Sequence, residues 1–234
     1  MATITAKSIV DRAGTILQDV TKVRWPETEL LNWLNDGQRE IVLIKREAGA
    51  VNATVPLVIG TKQSIPASGI TLIDVVRNMG ASAAPAAGNA IRLIDREVLD
   101  AQRANWHTLI STGVTEHYIF DGRDPKTFYV YPQAGGTEAI EIVYSAAPAD
   151  VVPVGALLAI EVISIDDIYA NALLDYILYR AYSKDAEYAA NTALAVGHYQ
   201  AFGQSLGLKS KTDMISNPNH NAAPYNPAAI ADAR

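Results

Sequence analysis

The sequence predicts an α+β protein, in which a helical bundle domain formed by the N- and C-terminal segments carries an inserted antiparallel β domain. Three observations predict it. Apolar residues at helical spacing, with caps, run to about residue 50; short β-prone runs broken by turn residues fill the middle; helical periodicity returns after about residue 155. The expected boundaries are 1–50 and 155–208 for the helical domain, 51–154 for the β-rich domain and 209–234 for an extended C-terminal tail.

The first helix is expected from Ala6 to Val20, with Thr5 as N-cap and Ile9, Val10, Ala13, Ile16, Leu17 and Val20 on one face. A second follows Trp25, with Pro26 at its first position, Gly49 as its stop, acids at Glu27 and Glu29, and bases at Lys45 and Arg46. Its buried face reads Leu30, Trp33, Leu34, Ile41, Ile44 and Ala48. Gly37 lies inside this helix at a cost of about 1 kcal/mol relative to Ala, which implies that another backbone approaches closely there.

Strands are expected at Thr54–Ile59, Gln63–Ile65, Thr71–Arg77, Ala90–Ile94, Thr115–Phe120, Thr127–Tyr131 and Glu138–Tyr144. Two aromatic-rich runs joined around Asp121-Gly-Arg-Asp-Pro125 read as a β-hairpin. A short helix from Arg96 to about Asn105, capped by Asp95, interrupts the sheet, and Trp106 closes one end of the core. The 80–88 segment has no apolar side chain larger than Ala and reads as a mobile loop.

Asp166 is placed to cap a long helix beginning at Asp167, with helical pattern continuing, with breaks, to about Leu206. Over 167–191 a helical wheel shows two polar faces. One carries Asn171, Asp175, Tyr182 and Asp185; the other carries Tyr169, Tyr176, Arg180, Lys184 and Glu187. Packable flanks lie between them. Such a helix lies either inside a bundle or between copies of the chain. If an Asp175/Asp185 face meets an Arg180/Lys184 face on the next subunit, the contact is heterologous and closes into a ring or continues as a filament.

Composition bounds the function. The chain has 234 residues, no cysteine and a formal net charge of -6, so thiolate chemistry and cysteine-ligated metal are excluded. The acidic balance argues against the broad basic surface that phosphate neutralisation demands. With no basic flank leading an apolar run, and no window near the roughly 20 apolar residues of a bilayer span, the expectation is a soluble, unsecreted protein without a membrane partner.

Catalytic chemistry finds little support. Gly203-Gln-Ser-Leu-Gly207, followed by Asp213 and His220, matches a hydrolase pattern, but its serine follows a helical run rather than a strand, so a glycine-punctuated helix end is the reading taken. His107, His117, His198 and His220 are scattered without metal-site spacing, Asp121 and Asp124 read as a turn, and Gly135-Gly136 as a strand connection. No catalytic residue, metal or cofactor is expected.

The order of these features resembles the adaptor proteins of tailed bacteriophages over about residues 5–208, most specifically at Trp33-Leu-Asn-Asp-Gly37, Phe128-Tyr-Val-Tyr-Pro132 and Tyr179-Arg-Ala-Tyr-Ser-Lys-Asp185. The resemblance implies a virion protein at the head–tail junction of the capsid vertex, made in the host cytoplasm. It implies a usually twelve-fold homo-oligomeric ring below the portal protein, joined to a tail or nozzle protein, with a channel through which DNA passes without sequence-specific binding. On that reading Asp175, Tyr176, Tyr179, Arg180, Lys184 and Asp185 are expected at the subunit interface. Met214, Ile215, Asn219 and Tyr225, in a tail that folds on its partner, are expected at a portal or tail contact, and the β domain with its 80–88 loop against tail proteins. The alternatives are another ring-forming tail component, a nozzle or terminator subunit, or a phage hydrolase.

Overall fold

The structure is a computed structural model that describes residues 2–109, 111–152, 160–185 and 189–216, with the backbone alone for Ala189 and for 208–216. The chain is α+β, with five α-helices and two sheets among the described residues, and it divides into two compact units. One comprises Met1–Lys45 with Ala149–Arg234, the other Arg46–Pro148.

In the first unit, α1 (Ala6–Ile16) starts at Thr5, whose side chain accepts from the Ser8 N–H. It stops four residues before the expected Val20, and Ile16 and Val20 are exposed at 46% and 73% instead of lying on its buried face. The cause is local: Gln18 takes a positive φ of 56°, and the Asp19 carboxylate accepts the N–H groups of Val23, Arg24 and Trp25 at 2.8–3.0 Å. That carboxylate organises the turn into α2 (Glu27–Ile44).

Pro26 stands at the N-cap of α2, one position earlier than expected. The helix ends at Ile44 because Lys45 is extended, at φ -127° and ψ 94°; Gly49 closes a separate 3-10 turn, Arg46–Gly49. Ile44 is therefore exposed and Ala48 half-buried, while Leu30, Trp33, Leu34 and Ile41 form the buried face. A Cβ on Gly37 would lie 3.0 Å from Tyr176 Cδ1 and 3.1 Å from Leu173 Cδ2, so side chains of a later helix, not a backbone, require the glycine.

Buried polar groups of α2 hold the returning chain. Asn35 exchanges two hydrogen bonds with the Val151 backbone, and the Gln38 carbonyl accepts from the Ser164 N–H. The N-terminus is clipped to the same return: Ala6 N–H donates to Glu161 O, and Ile163 N–H to Ile4 O. Asp166 makes no side-chain cap bond. Instead the Asp167 carboxylate accepts from Thr3 and Ile4, and these bonds hold its carboxyl below the usual carboxylate range. The chain forms a 3-10 turn, Asp167–Tyr169, before α4 (Ala170–Lys184), which packs on α1 and α2 and on α5 (Ala189–Ser216).

The helix expected over 167–191 is thus interrupted at Asp185, whose backbone oxygen and carboxylate accept from Asn191 Nδ2. The helix expected to give way at 209 continues to Ser216. Nothing in 208–216 breaks it, since this stretch has no Gly or Pro.

The second unit contains two sheets, ordered β1-β7-β3 and β2-β6-β5-β4. Their strands are β1 (Ala50–Pro56), β2 (Gly60–Ser64), β3 (Gly69–Ala81), β4 (Arg92–Leu93), β5 (His117–Phe120), β6 (Thr127–Ala134) and β7 (Glu138–Ala146). All pairings are antiparallel except β4 with β5, which is parallel because the chain crosses over through α3 (Arg96–Gln102) rather than through a hairpin turn. The β5–β6 hairpin places Tyr118 opposite Val130 and Phe120 opposite Phe128.

One core joins inward residues of both sheets, among them Leu72, Val75, Phe128, Val130, Ile140 and Ile142. A smaller cluster on the second sheet gathers Leu99, Trp106, Ile119 and Tyr131, with Trp106 Nε1 donating to Asp100 at 2.7 Å. The 80–88 segment is exposed throughout, with Ala86 N–H donating to Met79 O and Gly88 N–H to Asn78 O.

Candidate assembly surface

The expected interface residues all lie on α4 or at its end, and the structure shows what each one meets. Asp175 is 3.0 Å from His198 of α5, and His198 stacks on Tyr182 at 5.7 Å between ring centroids. Lys184 Nζ is 2.7 Å from Glu29, and Asp185 is 2.5 Å from Arg24. Tyr176 is buried, with its ring centroid 5.3 Å from that of Phe202, and burial pushes its hydroxyl pKa up despite the nearby Arg180 guanidinium. Tyr179 lies 4.9 Å from Tyr199, and with Arg180 and Lys184 it lines an open depression completed by Glu29, Trp33 and Ser183.

Both polar faces of α4 therefore meet partners inside one chain at Asp175, Lys184 and Asp185, while Glu187 lies outside the described residues. The two acids face α5 and the loop before α2, while Lys184 faces α2. Tyr169 and Tyr176, expected on a polar face, are 5% and 6% exposed. Tyr179 and Arg180 at the depression are half-exposed, as are Asp175, Tyr182 and Asp185, and Lys184 is exposed.

Met214 and Ile215 lie in the last turn of α5; Asn219 and Tyr225 lie outside the described residues. Ser205 is inside α5 and its hydroxyl donates to Phe202 O at 2.8 Å, a helical setting without the strained strand-to-helix turn that activates a hydrolase serine. His220 lies outside the described residues. Among the described residues no group of three or more His, Cys, Asp or Glu could hold a metal, and no helix is long and apolar enough to cross a membrane.

A surface that periodicity did not reveal is the outer side of α5. From Ala189 to Leu208 the sequence holds no Asp, Glu, Lys or Arg. A solvent-facing helix normally carries charge on its outer face. Ala195, Phe202 and Leu206 are buried, and Tyr199 beside them packs on Tyr179, while Leu194 and Val196, on opposite flanks of that stripe, stay 46% and 52% exposed. A Cβ on Gly197, Gly203 or Gly207 would meet nothing within 4 Å. Each glycine costs the helix about 1 kcal/mol relative to Ala, and no packing among the described residues offsets that. The signal was available in the sequence as a charge gap, not as an apolar stripe.

Comparison with protein families gives a match to the model described as SU10 adaptor protein over residues 4–222, nearly the whole chain. No curated protein matches.

Proposed function

Because the chain belongs to the SU10 adaptor protein family, a family of phage head-to-tail adaptors, we propose that its copies stand side by side in a ring, twelve-fold by the family resemblance, between portal and tail. The ring would leave an axial channel for DNA. An adaptor associates with other virion components, and its role is structural rather than enzymatic.

The observation that carries the reading is the outer side of α5, uncharged over 189–208, with three glycines whose Cβ positions are open and with exposed Leu194 and Val196 on its two flanks. Glycines on a helix surface let another backbone come close, and exposed apolar side chains supply the area to bury. The neighbouring subunit is the occupant proposed, with the half-exposed Tyr179 and Arg180 contributing from the adjoining depression. Contacts of the C-terminal turn at Met214 and Ile215 with the portal, and of the 80–88 loop with tail proteins, belong to the same proposal.

The test mixes purified full-length protein with portal and counts rings in electron-microscopy class averages. Leu194→Asp is expected to abolish ring formation while leaving the thermal unfolding midpoint within the scatter of a surface substitution, about 0.5 kcal/mol. Normal rings from this variant would remove α5 from the subunit contact.

A further inference from the structure

The β unit has four strand edges, on β1 and β3 of one sheet and on β2 and β4 of the other. Three are blunted. The 89–91 segment bonds along β3, with Asn78 N–H donating to Asn89 O at 2.8 Å and Ile91 N–H to Val76 O at 3.2 Å, and Leu72 N–H donates to Pro125 O. On β2 the register shifts between Gly60 and Lys62, and the Gln63 amide folds back onto Val58 and Gly60. β4 is two residues long. Short edges, bulges, charges and covering loops are the devices by which proteins keep strands from pairing with other chains.

β1 carries none of them over its first six residues. Its sequence, Ala50-Val-Asn-Ala-Thr-Val-Pro56, has no charge, and Ala50, Val51, Asn52, Thr54 and Pro56 are exposed. Among the described residues no backbone group outside β7 bonds to it.

The direction of its backbone groups follows from the register. Leu57 N–H donates to Glu138 O, one step beyond the Pro56–Ala139 pair, so alternation assigns Val55, Ala53 and Val51 to β7. Ala50, Asn52, Thr54 and Pro56 turn outward. Proline falls on an outward position, where it has no N–H to leave unpaired.

We propose that β1 pairs antiparallel with β1 of a second copy about a two-fold axis at Ala53. The strand is self-complementary in that register. The outward N–H groups of Ala50, Asn52 and Thr54 face carbonyls of Pro56, Thr54 and Asn52 of the partner subunit. Val51 stands opposite Val55 of the partner subunit, on the face where Ala53 and Val55 already pack against the core. Asn52 stands opposite Thr54 of the partner subunit on the other face, beside Glu141, to which the Asn52 amide donates at 2.8 Å. Matched β-branched and polar cross-strand pairs stabilise such a sheet. Two short strands bury much less than the roughly 1,200–2,000 Å² of a standard interface, so the dimer depends on concentration. A two-fold contact closes at two copies and cannot build a ring; it is a state of the free protein, distinct from the α5 contact.

Sedimentation of the full-length protein across a concentration series tests it. The wild-type chain is expected to dimerise reversibly. Asn52→Lys with Thr54→Lys sets cations opposite each other on both sides of the axis and raises the dissociation constant at least about tenfold, while Asn52→Lys with Thr54→Glu sets unlike charges opposite and restores pairing. Leu194→Asp leaves the dimer intact. A wild-type chain monomeric at every concentration, a dimer indifferent to the double-lysine change, or one lost with Leu194→Asp would overturn the proposal. Loss of vertex assembly in the double-lysine variant of a monomeric wild type would also overturn it, and would assign the edge to a strand of another virion protein.

Discussion

Helices α4 and α5 lie against each other, yet they are built by opposite rules. α4 carries charges, and its Asp175 and Lys184, together with Asp185 at its end, find partners within the chain, while Leu173, Tyr176, Ile177 and Ala181 are buried. α5 is free of formal charge over 189–208 and buries one side only. Charge on a helix therefore does not mark its solvent side here. The charged helix is held by its own chain, and the uncharged one is left with an open face.

The comparison breaks most directly at the center of α4. Leu173 is fully buried and reaches the space left by Gly37. Leu173→Ala removes that packing and is expected to cost about 2–5 kcal/mol, read as a lower urea midpoint with an unchanged slope. A loss below about 1 kcal/mol would mean that the site collapses around the smaller side chain and that α4 is less central than its burial indicates.

The contrast sharpens on α5, where stability and assembly should move in opposite directions. Gly203→Ala places a methyl group in open space and restores helix propensity, so the free protein is expected to gain up to about 1 kcal/mol. Ring formation on the portal is expected to weaken, because the added methyl holds the neighbouring backbone away. A variant that is both more stable and fully competent in assembly would show that the glycine serves neither end.

The unequal legibility of the two helices has a physical cause. Periodicity reports which side of a helix is apolar, so it located α2 through Leu30, Leu34 and Ile41, and the aromatic-rich runs on either side of the 121–125 turn located β5 and β6. It does not report what covers a face. On α4 the wheel placed Arg180, Lys184, Asp175 and Asp185 on opposite sides, but whether their partners sit in the same chain depends on Glu29, Arg24 and His198, which only the fold brings near. On α5 the helical pattern could be followed to about Leu206 through Ala195, Phe202 and Leu206, but it said nothing of the uncharged outer side. The early end of α1 was hidden for a related reason: no local pattern announces that one carboxylate, on Asp19, will gather three backbone N–H groups and leave Val20 in solvent.

That carboxylate supplies the smallest effect and a separate check on α4. Asp19 shapes the loop that presents Arg24 to Asp185, so it supports the intrachain partnership at the end of α4. Hydrogen bonds from the N–H groups of Trp25, Val23 and Arg24 hold its pKa below the ordinary value of 3.8. A carboxyl depressed by folding contributes stability that is present above its unfolded pKa and is lost as pH falls through the lower folded value. Asp19→Asn keeps one acceptor oxygen but loses the charge, so its thermal midpoint is expected to lie modestly below wild type near neutral pH. The gap should narrow as pH falls below about 4, where the unfolded wild-type chain takes up the proton first and the folded carboxylate follows at its lower value. Thermal melts of both proteins across that range decide it. A gap independent of pH would assign the loop's order to shape alone, and the charges at the end of α4 would then lack the support that separates this helix from α5.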